Sequence, residues 1–269
     1  MARYADDLSL AHVLADTADA ISMPRFRALD LRVSEKPDLT PVSDADTAVE
    51  KALRATLART RPRDGVLGEE FGARKAAAGS GRRQWVIDPI DGTKNFIRGV
   101  PVWATLIALM EGEEPVVGLV SAPALGRRWW AASGHGAYAG KHTAAATPIR
   151  VSAVRRLADA SFCYSSLTSW DEVGRLDAMV ELMRGCWRTR AYGDFYGYML
   201  AAEGAVDIMV EPELSLWDLA ALVPIVTEAG GRFTDLAGRP GPGGGSAIAT
   251  NGTLHEEVLA RLGHAELLG

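Results

Sequence analysis

The chain has 269 residues, of which 48% are hydrophobic and 23% charged, a composition typical of a folded globular protein rather than a disordered one. Its net charge of −5 supplies no overall positive field, so we expect neither nucleic acid nor anionic lipid as a partner. Two cysteines are too few for a disulfide framework or a zinc site, and the acidic residues near the N-terminus are unlike a secretion signal. We therefore expect a soluble, cytoplasmic protein without a membrane segment.

Helices are predicted first, followed by short strands. Apolar residues recur at three- to four-residue spacing from Leu8 to Ile21, and a second helix is predicted from near Asp44 until Pro62 stops it. Five strand-like runs come next: Val66–Leu67, Gln84–Ile87, Trp103–Met110, Val116–Ser121 and Arg128–Ala132. Gly, Pro and charged turns separate them, which predicts a mainly antiparallel sheet.

From about residue 150 the predicted helices and strands alternate, as in a layered α/β unit. The predicted helices are Glu172–Met183, one that ends at Glu203, Leu216–Ala229 and His255–Leu262. The predicted strands are Trp187–Ala191, Val206–Val210, Arg232–Thr234 and Ala247–Thr250. Pro224 falls inside one helix and should kink it or shift its start. An Ala-rich stretch before residue 150 predicts a division into parts 1–148 and 149–269.

The most informative segment runs from Trp85 to Phe96, with the sequence WVIDPIDGTKNF. A buried strand ends at Asp88, a proline turns the chain, and Asp91 is followed at once by Gly-Thr. Two carboxylates so close together repel each other unless a cation lies between them, and oxygen ligands favour Mg²⁺, Mn²⁺ or Ca²⁺. A helix starting at Asp91 would direct free backbone N–H groups at a phosphate. The alternative is an acidic turn in which Asp91 only caps that helix.

Further acidic residues follow the same pattern. Glu69 and Glu70 end a short strand, Asp218 opens a helix as part of Ser215–Asp218, and Asp44 lies in the first turn of the second helix. Each has an ordinary explanation as well: solvated glutamates, a capping box and a favourable charge at a helix start. The joint pattern, rather than any one member, indicates a metal site.

These motifs, in this order, resemble those of the inositol-monophosphatase-like Mg²⁺-dependent phosphomonoesterases. The matching segments are Asp88–Phe96, Leu216–Ala221 with Glu228–Gly231, Gly68–Glu70, and Asp38–Leu39 with Ser43–Asp44. The resemblance covers essentially the whole chain. It implies an α/β fold, an alternating α-β-α-β-α sandwich like that of inositol monophosphatase and fructose-1,6-bisphosphatase, and it implies a homodimer.

The resemblance also implies roles for individual residues. It assigns two or three Mg²⁺ ions per site, with Mn²⁺ as a substitute, to Glu69, Asp88, the carbonyl of Ile90, Asp91 and Asp218. It assigns catalysis to Asp44 and Thr93, which would orient the attacking water, and to Glu69. It assigns substrate binding to Asp91, Gly92, Thr93, Arg190, Gly193, Asp194, Glu211 and Asp218. Lys36 is either near the outer metal or a solvated loop lysine.

The substrate is predicted from the loop that begins near Trp187. Arg190 and Gly193 match the Arg-x-x-Gly motif usual in inositol phosphatases, but Asp194 lies where those enzymes usually have a serine or threonine. The carboxylate of Asp194, together with that of Glu211, suits a cationic or imidazole group of the substrate better than a neutral polyol. The chain most resembles the histidinol-phosphate phosphatase branch, so we expect hydrolysis of L-histidinol phosphate to L-histidinol and phosphate. Alternatively, Asp194 caps the following helix and the substrate is inositol monophosphate.

An alternative function of another class is that of an interaction protein that binds the transcription machinery, and it depends on the segment Arg127–Trp130. Some relatives of these phosphatases also bind the transcription machinery, and this basic and aromatic cluster could stack on bases. The other interpretation of the segment is an ordinary strand, which the negative net charge favours.

Overall fold

The computed structural model describes residues 4–37, 39–77 and 82–263, so Asp38 of the matched motifs lies outside the described residues. The α-helices are α1 (Ala5–Arg25), α2 (Asp44–Thr60), α3 (Thr93–Arg98), α4 (Leu167–Glu172), α5 (Leu176–Arg184), α6 (Asp194–Ala202), α7 (Leu216–Leu219), α8 (Leu222–Glu228) and α9 (His255–Gly263). Short 3₁₀ turns are Pro123–Leu125, Thr143–Ala145 and Leu157–Asp159. The strands are β1 (Val33–Glu35), β2 (Pro41–Ser43), β3 (Gly65–Gly68), β4 (Gly72–Arg74), β5 (Arg83–Asp91), β6 (Ala104–Glu111), β7 (Glu114–Ala122), β8 (Arg127–Ala132), β9 (Ala137–Gly140), β10 (Thr147–Pro148), β11 (Ser161–Tyr164), β12 (Arg188–Arg190), β13 (Ile208–Glu211), β14 (Arg232–Thr234) and β15 (Ala247–Thr250).

Within the described residues, the strands form two sheets and one separate hairpin, β1–β2. The larger sheet has eight strands in the order β10-β9-β8-β7-β6-β5-β3-β4, and only β3 and β5 pair in parallel. The mainly antiparallel sheet predicted for this region is therefore confirmed. The smaller sheet has five strands in the order β12-β11-β13-β15-β14 and mixes parallel with antiparallel pairs.

The helices complete a five-layer arrangement. Helices α1 and α2 cover one face of the larger sheet, and α6 and α8 lie between the two sheets. Helices α4, α5 and α9 cover the outer face of the smaller sheet. The layers are therefore α-β-α-β-α, as predicted. The core between the sheets draws on both parts of the chain, as with Trp129 and Phe233, and the division at residue 148 stays a prediction.

The first two helices follow their predicted bounds for local reasons. Leu10, Leu14 and Ala18 form a buried stripe along α1. A capping box between Ser43 and Asp46 begins α2, which ends two residues before Pro62. Within the described part of the chain, no helix is both long and apolar enough to cross a membrane.

Two predicted helices differ from those in the structure. The one at Glu172–Met183 begins four residues later, as α5 at Leu176, because Gly174, with a φ of +69°, separates it from α4, a short helix that was not predicted. The one at Leu216–Ala229 is split into α7 and α8. Pro224 is the third residue of α8, where a backbone N–H would have no partner within the helix. The predicted effect of this proline on the start of a helix is therefore confirmed.

The basic and aromatic segment is an interior part of the larger sheet. The side chains of Trp129 and Trp130 on β8 are 1% and 3% exposed. Arg127 pairs with Glu203, and Arg128 is buried against carboxylates of α1. Because both indole rings are covered, this segment offers no stacking surface for bases.

Candidate active site

A bulge at the end of β5 brings two aspartates to one side of the sheet. Asp88 lies opposite Leu106 of β6 and Asp91 opposite Ala104, so three steps along β5 match two along β6. Residues three apart on a regular strand point to opposite faces, whereas one extra residue turns both to the same face. The backbone N–H of Ile90 donates to Asp88 Oδ1 over 3.0 Å, which fixes the carboxylate.

Asp218 joins these two aspartates from the first turn of α7. Its Oδ2 accepts a hydrogen bond of 2.7 Å from the backbone N–H of Ser215, so it takes part in a capping box. Carboxylate oxygens of Asp88, Asp91 and Asp218 all lie within 4.8 Å of one another. The capping role and the place in the acidic cluster are therefore compatible, because one carboxylate has two oxygens.

The electrostatics of this cluster favour a bound cation. Burial, followed by repulsion from neighbouring carboxylates, raises the pKa of Asp88 and Asp91 well above the ordinary value. Burial also raises the pKa of Asp218 to about 6. Asp88 is buried and Asp91 and Asp218 are partly buried, and three such carboxylates form an oxygen-ligand set that suits Mg²⁺ or Mn²⁺. The residues present therefore fit a divalent metal.

Glu69 approaches the cluster from the loop after β3. Its backbone N–H donates to the carbonyl of Ile87 over 3.3 Å. Lys36 Nζ donates to Glu69 Oε1 and to Glu70 Oε1, each over 2.7 Å, so Lys36 is a paired residue of the site rather than a solvated one. The buried carboxylate of Glu50 accepts from the backbone N–H groups of Glu70 and Phe71 and thereby fixes the loop.

The structure places Asp46, rather than the predicted Asp44, beside Thr93. Thr93 Oγ1 lies 3.0 Å from the carbonyl oxygen of Ile90 and 3.4 Å from Asp46 Oδ1. Asp44 instead accepts hydrogen bonds from the guanidinium of Arg25. Two residues along a helix correspond to a rotation of about 200°, so the two carboxylates leave α2 in different directions. The capping-box spacing from Ser43 was the sequence signal for Asp46.

An open cleft of about 560 Å³ lies over the cluster. The residues that line it include Glu69, Thr93 and Asp218, together with Tyr192, Gly193 and Asp194. Helix α3 begins at Thr93, two residues later than the predicted start at Asp91, because Gly92 has a φ of +83°. Arg190 is exposed and donates to the carbonyl of Thr189, and it is not among the residues that line the cleft.

Asp194 does not cap α6. Its side chain makes no capping hydrogen bond; instead, its Oδ2 accepts from Asn95 Nδ2 over 3.1 Å. Asp91, not Asp194, accepts a hydrogen bond from the N-terminus of α6: the backbone N–H of Phe195 donates to Asp91 Oδ2 over 2.7 Å. The hydrogen bond from Phe195 helps to hold the negative charge of Asp91 in place.

Glu211, at the end of β13, is a buried carboxylate close to the cleft. Tyr198 Oη donates to Glu211 Oε2 over 2.8 Å. Burial raises the pKa of Glu211 to about 7, and the neighbouring Asp194 and Asp218 act in the same direction. The structure therefore brings together two further carboxylates, Asp194 and Glu211, beside the three-aspartate cluster. Ser165, whose Oγ accepts from the backbone N–H of Asp194, had no recognisable motif in the sequence.

Comparison with known proteins agrees with this geometry. A model of the inositol monophosphatase family matches residues 6–266. The chain belongs to the inositol monophosphatase family. A histidinol-phosphatase of Streptomyces coelicolor is 64% identical over 266 residues, covering 97% of this chain and 98% of that protein. A histidinol-phosphatase of Mycobacterium tuberculosis is 60% identical over 257 residues, with coverages of 96% and 98%.

Solved structures of the family have the same fold. An inositol monophosphatase from Zymomonas mobilis superimposes with a TM-score of 0.84 at 36% identity, covering 97% of this chain and 99% of that one. The predicted family and its layered sandwich are therefore confirmed.

Proposed function

We propose that the protein is a phosphoric monoester hydrolase that converts L-histidinol phosphate and water to L-histidinol and phosphate, a step in histidine biosynthesis. The observation that carries the proposal is the pair Asp194 and Glu211, which adds negative charge beside a cluster already suited to a metal. Two further carboxylates suit a cationic group better than the neutral hydroxyls of a polyol, and histidinol carries an amine and an imidazole. The identity to two histidinol-phosphatases over nearly the whole chain supports the same substrate.

Asp88, Asp91 and Asp218, with Glu69 and the carbonyl of Ile90, would hold two or three Mg²⁺ ions, which Mn²⁺ could replace. When bound, the metal neutralises charge on the phosphate and activates water for attack on phosphorus. The cluster's mutual repulsion supports this assignment, because a cation removes it.

Asp46 and Thr93 would orient the attacking water. A hydrogen bond from Thr93 Oγ1 to the carboxylate of Asp46 leaves the lone pairs of the hydroxyl free to accept a hydrogen bond from water. The backbone N–H groups of Gly92 and Thr93 would bind phosphate oxygens. We assign the orienting role to Asp46 in place of Asp44, because Asp44 is engaged by Arg25.

The substrate test compares phosphate release from L-histidinol phosphate and from inositol 1-phosphate, each with Mg²⁺ and with EDTA. We expect Mg²⁺-dependent release with a strong preference for L-histidinol phosphate. A preference for inositol 1-phosphate would retain the metal chemistry and contradict the roles given to Asp194 and Glu211. No metal-dependent release from either ester would contradict the proposed function.

The role of Asp194 is tested by Asp194→Ser, which introduces the hydroxyl residue usual in inositol phosphatases. Loss of one charged contact should lower kcat/KM for L-histidinol phosphate about 10- to 100-fold. Asp171→Ser is the matched control, since it removes the same charge from an exposed position on α4. Equal effects of the two variants would contradict a direct role for Asp194.

A homodimer and a cytoplasmic location complete the proposal. The dimer rests on the family resemblance alone, and sedimentation of the purified chain tests it directly. A mass near the monomer's 28.7 kDa would contradict it.

A further inference from the structure

The side-chain amide of Asn95 joins the metal motif to the substrate loop. Its Nδ2 donates to the carbonyl oxygen of Val102 over 2.9 Å and to Asp194 Oδ2 over 3.1 Å. An amide nitrogen carries two protons, and here each has an acceptor. Both partners are acceptors only, so a flipped amide would place its oxygen against two other oxygens. Asn95 is therefore fixed as a donor to Asp194.

The backbone of Asp194 is held just as firmly. Its φ of +48° lies in the left-handed region, which is uncommon for residues other than glycine. Its N–H donates to Ser165 Oγ over 2.9 Å, which secures this conformation. A side chain on Gly92 would come within 3.3 Å of Asp194 Oδ2, so the glycine of the metal motif leaves room for the carboxylate.

The two oxygens of the Asp194 carboxylate have different surroundings. Oδ2 is bound by Asn95, whereas none of the described residues donates a hydrogen bond to Oδ1. Asp194 is also one of the residues that line the cleft. Fixing one oxygen of a planar carboxylate fixes the direction of the other. The free oxygen is thus available to a ligand in the cleft.

We propose that Asn95 is a positioning residue for substrate specificity: it holds Oδ2 of Asp194 and thereby directs the carboxylate at the cationic part of the substrate. This inference rests on the proposed function and deepens it. It separates the two halves of the substrate, because Asn95 acts on the site for the cationic half through Asp194. The site for the phosphate half, at the metal cluster, does not depend on this hydrogen bond.

The test uses product inhibition of L-histidinol phosphate hydrolysis, because the two products report on the two halves of the site. L-histidinol probes the cationic half and inorganic phosphate probes the metal half. In Asn95→Ala we expect the inhibition constant for L-histidinol and the KM to rise about tenfold. The inhibition constant for phosphate and kcat should change less than twofold.

A double-mutant cycle with Asp194→Ala separates positioning from a general loss of structure. Asn95→Ala also removes the contact with Val102, but that loss occurs in both backgrounds and cancels. We expect Asn95→Ala to raise the inhibition constant for L-histidinol much less once Asp194 is already alanine. If Asn95→Ala does not fold, Asn95→Ser is carried through the same cycle.

Two results would overturn the inference. One is an equal rise of the inhibition constants for L-histidinol and phosphate in Asn95→Ala. The other is the same fold-change for L-histidinol in both backgrounds. Failure of the proposed function would be seen earlier and separately, because the unmodified protein would then not hydrolyse L-histidinol phosphate at all, and the inference would fall with it.

Discussion

Strand β5 carries charge at both of its ends, and the two ends are built in opposite ways. At its start, Arg83 donates to Asp7 over 2.7 Å and lies 3.5 Å from Asp64, so carboxylates and guanidinium balance each other. At its end, Asp88 and Asp91 lie among other carboxylates, and none of the described Lys or Arg residues forms an ion pair with either.

The difference distinguishes a structural charge cluster from a binding one. Paired charges at the start of β5 stabilise the junction of α1 with the sheet and need no further ligand. Unpaired carboxylates at the end of β5 lower the free energy of unfolding, in line with their raised pKa values. A bound cation would offset this loss of stability. Substitutions at the two ends should therefore affect different properties.

The largest effect is expected for Asp88→Asn, which breaks the acidic end. The substitution replaces a carboxylate of the metal site by a neutral amide. We therefore expect kcat to fall at least about a thousandfold at saturating Mg²⁺. The same change relieves repulsion, so the melting temperature of the metal-free protein should be unchanged or higher. Steady-state kinetics and thermal unfolding check both. Near wild-type turnover would contradict the metal assignment.

The next effect distinguishes two carboxylates on one helix. Asp46→Asn should lower kcat about a hundredfold or more, because Asp46 contacts Thr93. Asp44→Asn should leave kcat within about twofold, since Asp44 contacts Arg25, and is the matched control. Kinetics of both variants, with unfolding curves to confirm that each is folded, provide the check. The reverse order of effects would restore Asp44 to the catalytic role.

At the balanced end of β5, Arg83→Met should act on stability alone. The side chain is partly exposed, so we expect a loss of about 2 kcal/mol in the free energy of unfolding, less than for a fully buried pair. The kcat of the folded protein should stay within about twofold. Urea unfolding and kinetics measure the two quantities. A large fall in kcat without loss of stability would show that the two ends are not separate.

The sequence was sufficient for the elements with strong local signals. The stripe of α1, the capping residues of α2 and the apolar runs of β5 to β8 each follow from neighbouring residues. The resemblance of the acidic motifs to those of the family predicted the three aspartates that meet. Strand β11 was missed because its apolar run, Phe162–Tyr164, is only three residues long and gives no periodicity.

Other features depend on contacts between distant parts of the chain. Asn95 and Asp194 are 99 residues apart, and nothing near either residue in the sequence indicates their hydrogen bond. That Asp46 rather than Asp44 lies beside Thr93 depends on where α2 starts and on how the helix is rotated against the sheet. Residue spacing alone does not define either of these.

The last prediction is a shift in melting temperature, which tests the central claim that the unpaired carboxylates at the end of β5 form a metal site. Carboxylates of the unfolded chain titrate near their ordinary pKa of about 4. The pKa of Asp218 is raised to about 6, and those of Asp88 and Asp91 are raised well above the ordinary value. This cluster therefore favours the folded state below about pH 4, and that contribution is lost as pH rises through the folded-state values.

The measurement is thermal unfolding with EDTA and with saturating Mg²⁺, at pH 5 and at pH 7. Protons compete with the metal, so stabilisation by Mg²⁺ should be larger at pH 7, where about 2.7 kcal/mol at a hundredfold excess over Kd corresponds to roughly 5–10 °C. Asp88→Asn should show a much smaller difference between the two conditions. Stabilisation by Mg²⁺ that is equal at both pH values, or that persists in Asp88→Asn, would contradict the account.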